Sequence, residues 1–188
     1  MVNFFLSTDQ AIENFFEASR SFLLTKIFIF ATILGNKEII IALAIFLVGI
    51  FWIYKKQHYI LPLIIATLGA QASVSLLKII FQRSRPLHPV YLNDSFSFPS
   101  GHATLAVAFY GFVIYLFRKE IKNQKTKTFL IIISLAIILI IGISRLYLDM
   151  HFFTDILGGY FLGFMWIILG IMAGKTILKN INERGKQN

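Results

Sequence analysis

The sequence contains no cysteine and few charged residues. The lack of cysteine excludes disulfides, iron–sulfur clusters and zinc sites built from thiolates. Charged residues make up 14% of the chain, whereas a soluble domain carries about 25%. Hydrophobic residues instead reach 57%, and several uncharged runs approach the length of about 20 residues that crosses a bilayer. We therefore interpret the chain as an integral membrane protein.

Apolar runs divide the chain into six candidate spans. Residues 3–18 precede them and form either an amphipathic helix at the membrane interface or a polar lead-in to the first span. The first run is short and contains Lys26, so whether it crosses fully is left open. We predict one all-α domain over residues 1–188, a polytopic membrane bundle of about six helices with an N-terminal interfacial helix. The predicted spans are 21–35, 38–54, 59–80, 100–117, 128–147 and 152–173.

The net charge of +9 is unevenly distributed between the loops. With six spans, the loops at 55–58 and 118–127 and the tail from Lys175 share one side and hold most of the lysines and arginines. Basic loops mark the cytoplasmic side, so we predict that both termini are cytoplasmic. Polar clusters at the ends of spans three to six then share the extracytoplasmic face. A nucleic-acid partner is not expected, because no basic face is interleaved with stacking aromatics.

His151 and Asp155 lie four residues apart at the start of a predicted helix, and therefore on one face. A carboxylate beside an imidazole fixes its tautomer and stabilises its positive charge. The free ring nitrogen is then a suitable nucleophile or base. The alternative is a simple capping pair at the helix start. Residues alone leave both interpretations open.

Three cations, Lys78, Arg85 and Arg145, lie near the same predicted face. Arginine matches phosphate with a rigid fork of donors, although snorkelling to the interface would also explain each side chain. Arg83 is a further candidate for the same role.

Pro99-Ser100-Gly101-His102 opens the fourth span. Backbone N–H groups at a helix start bind phosphoryl oxygens. Ser100 would also suit an N-cap, and His102 would suit a general acid.

Together the three segments resemble the signature of the type 2 phosphatidic acid phosphatase superfamily, which contains membrane lipid phosphatases and, more distantly, vanadium haloperoxidases. The resemblance covers residues 78–155, in order and at the family's spacings. It is carried by Lys78-x6-Arg85-Pro86, Pro99-Ser100-Gly101-His102 and Ser144-Arg145-x5-His151-x3-Asp155.

The resemblance implies a role for each matching residue. His151 would attack phosphorus and form a phosphohistidine, and Asp155 would orient it. His102 would protonate the leaving lipid oxygen and then activate water. The phosphoryl oxygens would be held by Lys78, Arg85, Ser100, Gly101 and Arg145. No cofactor and no metal are implied, and the cations favour an anion over a metal ion at this site.

The resemblance leaves the lipid substrate open. Phe153 replaces a proline that family members often carry, and Leu148-Asp149 stands where they often have glycine. Asp149 would repel anionic headgroups, contact Arg145 or remain a solvated loop carboxylate. The implied substrates are undecaprenyl diphosphate, which we favour, phosphatidylglycerol phosphate, phosphatidic acid and phosphorylated lipid A. The small size indicates a compact enzyme of a bacterial inner membrane, with its site facing the periplasm or exterior.

Two functions of other classes are weighed against this one. An anion transporter or channel would carry charges through the bilayer midplane and an inverted repeat, but the charges here lie at span ends. A non-catalytic lipid-binding relative would have lost a motif residue, and none is lost.

Overall fold

The computed structural model describes residues 2–91 and 94–184, and these residues form seven helices and no strand. A short 3-10 turn, Gln57–Tyr59, precedes the fourth helix. The predicted all-α class is therefore confirmed. The helices are α1 Val2–Ala18, α2 Phe22–Ile33, α3 Lys37–Ile53, α4 Ile60–Phe81, α5 Gly101–Glu120, α6 Gln124–Tyr147 and α7 Phe153–Arg184.

The helix ends beside the polar clusters have local causes. Helix α4 ends at Phe81 because Gln82 takes a left-handed backbone with φ 43°, and its N–H bonds to Lys78 O at 3.0 Å. Helix α5 starts directly after Pro99 and Ser100, where proline disfavours a helical residue before it. Residues 82–91 and 94–100, which contain no helix or strand, therefore lie between two long helices at one end of the bundle.

Four helices are long and apolar enough to cross a membrane, where the sequence predicts six crossings. They are α4 with its preceding turn, α5, α6, and α7 as far as Ile177. Helices α2 and α3 qualify only as a pair, bent by 44° at their break. Helix α2 has 12 residues, which gives about 18 Å against a hydrocarbon core of about 30 Å. The described residues thus provide four or five crossings.

Both ends of α2 lie near the polar clusters. At its start, Ser21 N donates to Tyr147 Oη over 2.8 Å, at the end of α6. After its end, Asn36 contacts His102 at the start of α5. Only α3 continues to the opposite end of the bundle, where Lys56 binds Glu120. The prediction that residues 21–35 form a span of their own is therefore not confirmed.

Helix α1 also lies at the end of the bundle that holds the polar clusters. Its Asp9 accepts a 2.9 Å hydrogen bond from the backbone N–H of Thr154, in the first turn of α7. Six crossings would place α1 at the opposite end, beside the basic loops. Two cytoplasmic termini require six crossings, which the described residues do not confirm, so the orientation of the termini stays a prediction.

Helices α5 and α7 approach each other so closely that glycine is required between them. A Cβ atom on Gly159 would lie 2.8 Å from Ser100 O, and one on Gly163 would lie 2.5 Å from Thr104 O. These distances are shorter than any side chain tolerates, so backbone packs on backbone. The first turns of α5 and α7, which carry the two predicted catalytic histidine segments, are thereby held together.

Candidate active site

The three polar segments predicted from the sequence meet at one end of the bundle. The backbone N–H of Ser100 donates to Asp155 O at 3.1 Å and joins the second segment to the third. Arg85 donates to the carbonyl of Met150, the residue before His151, and joins the first segment to the third. The loop between α4 and α5 is thus folded over the start of α7.

His151 and Asp155 are buried together. His151 is 4% exposed and Asp155 is fully buried. His151 Nδ1 lies 3.5 Å from Asp155 Oδ2, an ion-pair distance without hydrogen-bond alignment. The same Oδ2 accepts a 2.9 Å bond from Phe152 N. Asp155 therefore caps the start of α7, as the simpler interpretation predicts, and also faces the imidazole.

The surroundings of His151 favour its neutral form. Burial lowers the pKa of His151 well below its ordinary value, and the nearby cations Arg145 and Arg85 lower it further. With Nδ1 toward Asp155, the other ring nitrogen, Nε2, lies 3.5 Å from Arg85 Nη1. A neutral imidazole whose Nε2 carries a lone pair beside a guanidinium can attack an electrophile that the guanidinium binds.

Three cations surround this imidazole without a carboxylate partner. In the part of the chain that the structure describes, Lys78, Arg85 and Arg145 bond to neutral oxygens and form no ion pair. Lys78 donates to Phe96 O, and Arg85 Nε donates to Ser95 O at 2.6 Å. Burial, and then the charge of Arg145, lower the pKa of Arg85. Arg145 is buried and Lys78 and Arg85 are partly buried, and uncompensated positive charge of this kind is suited to an anion.

Arg145 is held from two sides and is only 1% exposed. Its Nη1 donates to Thr32 Oγ1 at 2.8 Å and also to the hydroxyl of Tyr91. Thr32 belongs to α2 and Tyr91 to the loop before α5. Because the guanidinium is buried among protein groups, snorkelling to the interface does not explain Arg145.

Four buried polar atoms lack a hydrogen-bond partner among the described residues, and three of them belong to predicted site residues. Ser100 is the N-cap of α5, yet its hydroxyl makes no capping bond. Leaving such a group unpaired costs about 1–3 kcal/mol. Donors on Ser100 and Arg145 would be satisfied by the oxygens of a bound anion. The four atoms are Ser97 Oγ, Ser100 Oγ, Arg145 Nε and His151 Nδ1.

His102 lies at the start of α5 and lines a cavity of about 340 Å³ together with Lys78, Gly101 and Gln71. Its Nε2 is 2.7 Å from Asn36 Oδ1. An apolar groove of about 260 Å³ between α3 and α4 shares Lys37, Gln71 and Leu105 with that cavity. The cavity therefore adjoins an apolar groove.

Arg83 takes a different role from the anion-binding one for which the sequence made it a candidate. Its Nη1 binds Asp155 Oδ1 at 2.6 Å and Thr154 Oγ1 at 2.7 Å. Its Nη2 binds Asp9 Oδ2 at 2.7 Å. Arg83 thus holds the far oxygen of the carboxylate that faces His151. Asp9, which sequence reasoning missed, connects α1 to this pair.

Asp149 is neither a solvated loop carboxylate nor a partner of Arg145. It is 3% exposed, and its Oδ2 lies 3.5 Å from Arg20 Nη2 and accepts a 3.1 Å bond from His88 N. Burial raises the pKa of Asp149, while the bond from His88 and the charge of Arg20 oppose that rise. Asp149 fastens the junction of α1 and α2 to the turn before His151.

Comparisons with known proteins identify relatives over most of the chain. The sequence model of the PAP2 superfamily matches residues 59–177. The phosphatidylglycerophosphatase B of Bacillus subtilis (strain 168) is 33% identical over 167 residues, which cover 87% of this chain and 81% of that protein.

Two solved structures resemble the fold. The crystal structure of the first transmembrane PAP2 type phosphatidylglycerolphosphate phosphatase, from Bacillus subtilis, matches with a TM-score of 0.82 and 30% identity, over 92% of this chain and 87% of that one. The structure of Aquifex aeolicus LpxE matches with a TM-score of 0.62 and 24% identity, over 89% of this chain and 94% of that one. At that identity the second likeness concerns the fold alone.

Proposed function

The chain belongs to the PAP2 superfamily, and from this premise we propose that it is an integral membrane phosphatase that removes the terminal phosphate of a lipid phosphate. The observation that carries the proposal is the setting of His151. A buried imidazole, neutral by its surroundings, faces three cations that have no carboxylate partner among the described residues. Unpaired donors on Ser100 and Arg145 point to the same anionic ligand.

In the first step, His151 Nε2 attacks phosphorus. The Nε2–P bond forms as the bond from phosphorus to the lipid oxygen breaks, and the electron pair of that bond goes to the oxygen. His102, which starts doubly protonated, gives this oxygen a proton and becomes neutral, so that the lipid leaves as an alcohol or a lower phosphate. Asp155 stabilises the positive charge on the phosphorylated ring through Nδ1.

In the second step, water hydrolyses the phosphohistidine. His102, now neutral, takes a proton from the water as the water oxygen bonds to phosphorus and the Nε2–P bond breaks. Inorganic phosphate leaves and both histidines regain their starting forms. General acid and base chemistry of this kind contributes about 10²–10⁴-fold to a rate.

The phosphoryl oxygens are held by Lys78, Arg85 and Arg145, with the Ser100 hydroxyl and the Gly101 backbone at the start of α5. Developing charge on a transferring phosphoryl group is stabilised by such preorganised donors. These cations supply the positive charge that a catalytic metal would otherwise supply to the phosphoryl group. We therefore propose that the reaction proceeds without a metal.

We propose phosphatidylglycerol phosphate as the substrate, because the Bacillus subtilis relative is a phosphatidylglycerophosphatase. The headgroup would enter the cavity lined by His102, and a chain would lie in the groove between α3 and α4. Undecaprenyl diphosphate, which the sequence analysis favours, remains a prediction.

A panel assay decides between these lipids. Purified protein in detergent is given phosphatidylglycerol phosphate, undecaprenyl diphosphate, phosphatidic acid or phosphorylated lipid A, and released phosphate is measured. We expect kcat/KM for phosphatidylglycerol phosphate to exceed the others by at least about tenfold, which corresponds to about 1.4 kcal/mol of transition-state binding. Equal rates on all four would remove the substrate assignment, and no release from any would remove the phosphatase assignment.

We further propose a bacterial inner membrane with the site, and α1, on the extracytoplasmic face. The basic loops around Lys56 and Lys122 then face the cytoplasm. The native chain has no cysteine, so single substitutions can be labelled cleanly. An impermeant maleimide should label Ala18→Cys in spheroplasts with intact inner membranes, and Lys122→Cys only after lysis. Labelling of Lys122→Cys in the intact spheroplasts would contradict this orientation.

A further inference from the structure

Asn36 occupies the break between α2 and α3 and is the N-cap of α3, but its side chain makes no capping bond. Its Oδ1 instead lies 2.7 Å from His102 Nε2. Asn123 provides the contrast, since it is the N-cap of α6 and its Oδ1 accepts a 3.0 Å bond from Thr126 N. The Asn36 side chain thus contacts a histidine 66 residues away along the chain and makes no bond to a backbone N–H in the first turn of α3.

The contact fixes the state of the His102 ring. Oδ1 of an amide only accepts hydrogen bonds, so Nε2 of His102 carries a proton. The lone pair of the neutral ring is then on Nδ1, the nitrogen left for proton exchange. Rotation is also restricted, because a Cβ on Gly35 would lie 3.2 Å from His102 Cδ2, so the ring packs directly on the backbone of the break.

The same break supports a second member of the site. Thr32, near the end of α2, accepts a 2.8 Å bond from Arg145 Nη1. Four residues later, Asn36 bonds to His102. Thr32 and Asn36 lie outside residues 59–177, the part of the chain that matches the superfamily. The three sequence motifs therefore do not include either of these supporting residues.

We propose that Asn36 is a positioning residue for His102. Its Oδ1 keeps a proton on Nε2 and fixes the angle of the ring. Nδ1 of the protonated ring then gives its proton to the leaving lipid oxygen, and Nδ1 of the neutral ring later takes one from water. The inference rests on the proposed phosphatase function and concerns how that reaction is organised. Misplacing a catalytic group by about 1 Å costs about 10²-fold in rate.

The test compares three variants on two substrates. Asn36→Leu keeps the size but removes the acceptor, and Asn36→Asp keeps an acceptor at Oδ1. Asn123→Ala removes the N-cap side chain that accepts the bond from Thr126 N. The substrates are the best lipid phosphate of the panel and p-nitrophenyl phosphate, whose leaving group needs no proton. Folding is checked by gel filtration in detergent.

Asn36→Leu should lower kcat on the lipid about 10²-fold with little change in KM. On p-nitrophenyl phosphate it should give a burst of nitrophenolate equal to the amount of enzyme, followed by slow turnover, because only hydrolysis of the phosphohistidine still needs His102. Asn36→Asp should stay within about tenfold of the native enzyme on the lipid, and Asn123→Ala should match the native enzyme on both substrates.

Native kcat on the lipid in Asn36→Leu would overturn the inference, and so would an equal loss on both substrates without a burst. If Asn36→Leu does not fold, Asn36→Ala is judged by the same criteria. An Asn36→Asp variant as slow as Asn36→Leu would also contradict it, since the acceptor is retained. A native enzyme that releases no phosphate from any lipid would instead overturn the proposed function, and this inference with it.

Discussion

Replacing His151 with alanine is expected to lower phosphate release at least about 10⁴-fold on every lipid, because the variant lacks the nucleophile. The imidazole is buried and neutral, and its Nε2 lies 3.5 Å from Arg85 Nη1. The cations and the Ser100 hydroxyl remain in the variant, so lipid binding should persist. The expected signature is therefore a collapse of kcat with KM changed by less than about fivefold, measured as released phosphate.

His88 provides the matched control. It lies in a loop at the same end of the bundle, with its Nδ1 3.6 Å from Glu17 Oε1, and its side chain is exposed. His88→Ala should keep native activity to within about twofold, because a surface ion pair contributes about 1 kcal/mol or less. If His151→Ala kept more than a tenth of the native kcat, a covalent role for His151 would be refuted.

The second large effect is expected for His102→Ala. On a lipid, whose leaving alkoxide needs a proton, kcat should fall about 10³-fold, within the range of general acid catalysis. On p-nitrophenyl phosphate the first step needs no acid, so one turnover should proceed and a phosphorylated enzyme should accumulate. Rapid-quench measurement of nitrophenolate and of protein-bound phosphate would follow both quantities.

His58 is the control for this variant. Its ring contacts Tyr59 at the opposite end of the bundle, with 4.1 Å between ring centroids and 45° between the ring planes. His58→Ala should therefore leave both substrates unaffected. Native rates on the lipid in His102→Ala would rule out proton donation by His102. An equal loss of the first turnover on both substrates would also contradict this role, since the nitrophenolate leaving group needs no proton.

The four long crossings could be predicted from the sequence because apolar runs have no other stable location. The predicted span 59–80 corresponds to α4 Ile60–Phe81, and 100–117 to α5 Gly101–Glu120. Whether residues 21–35 form a crossing of their own could not be predicted, for a physical reason. Their composition suits hydrocarbon, but composition does not say whether the chain reverses at Gly35-Asn36 or continues with a bend, and the structure shows a bend of 44°.

The local parts of the site were also predictable. His151 and Asp155 share a face because helical geometry fixes residues four apart, and the two lie 3.5 Å apart. The shared face of Lys78, Arg85 and Arg145 followed from where the apolar runs end. The capping and catalytic interpretations of Asp155 turned out to be compatible, since Oδ2 accepts from Phe152 N and faces the imidazole.

The supporting contacts could not be predicted, because they join distant segments. Arg83 and Asp9 are 74 residues apart, and Asn36 and His102 are 66 apart. The periodicity of a helix or strand relates only residues that are close in the sequence, so it does not predict such pairs. One weak signal existed for Asp9, a carboxylate within the apolar part of an amphipathic helix, which is costly unless it is paired. The structure gives it Arg83 and Thr154 as partners.

The most direct test of the account is isolation of the phosphorylated enzyme. The protein is mixed with lipid phosphate labelled with ³²P, quenched in alkali, where phosphohistidine is stable, and digested for mass spectrometry. We expect label that is lost in acid, on the peptide that contains His151 and on its Nε2, and none in His151→Ala. Native turnover without labelled protein, or label on His102, would contradict the account.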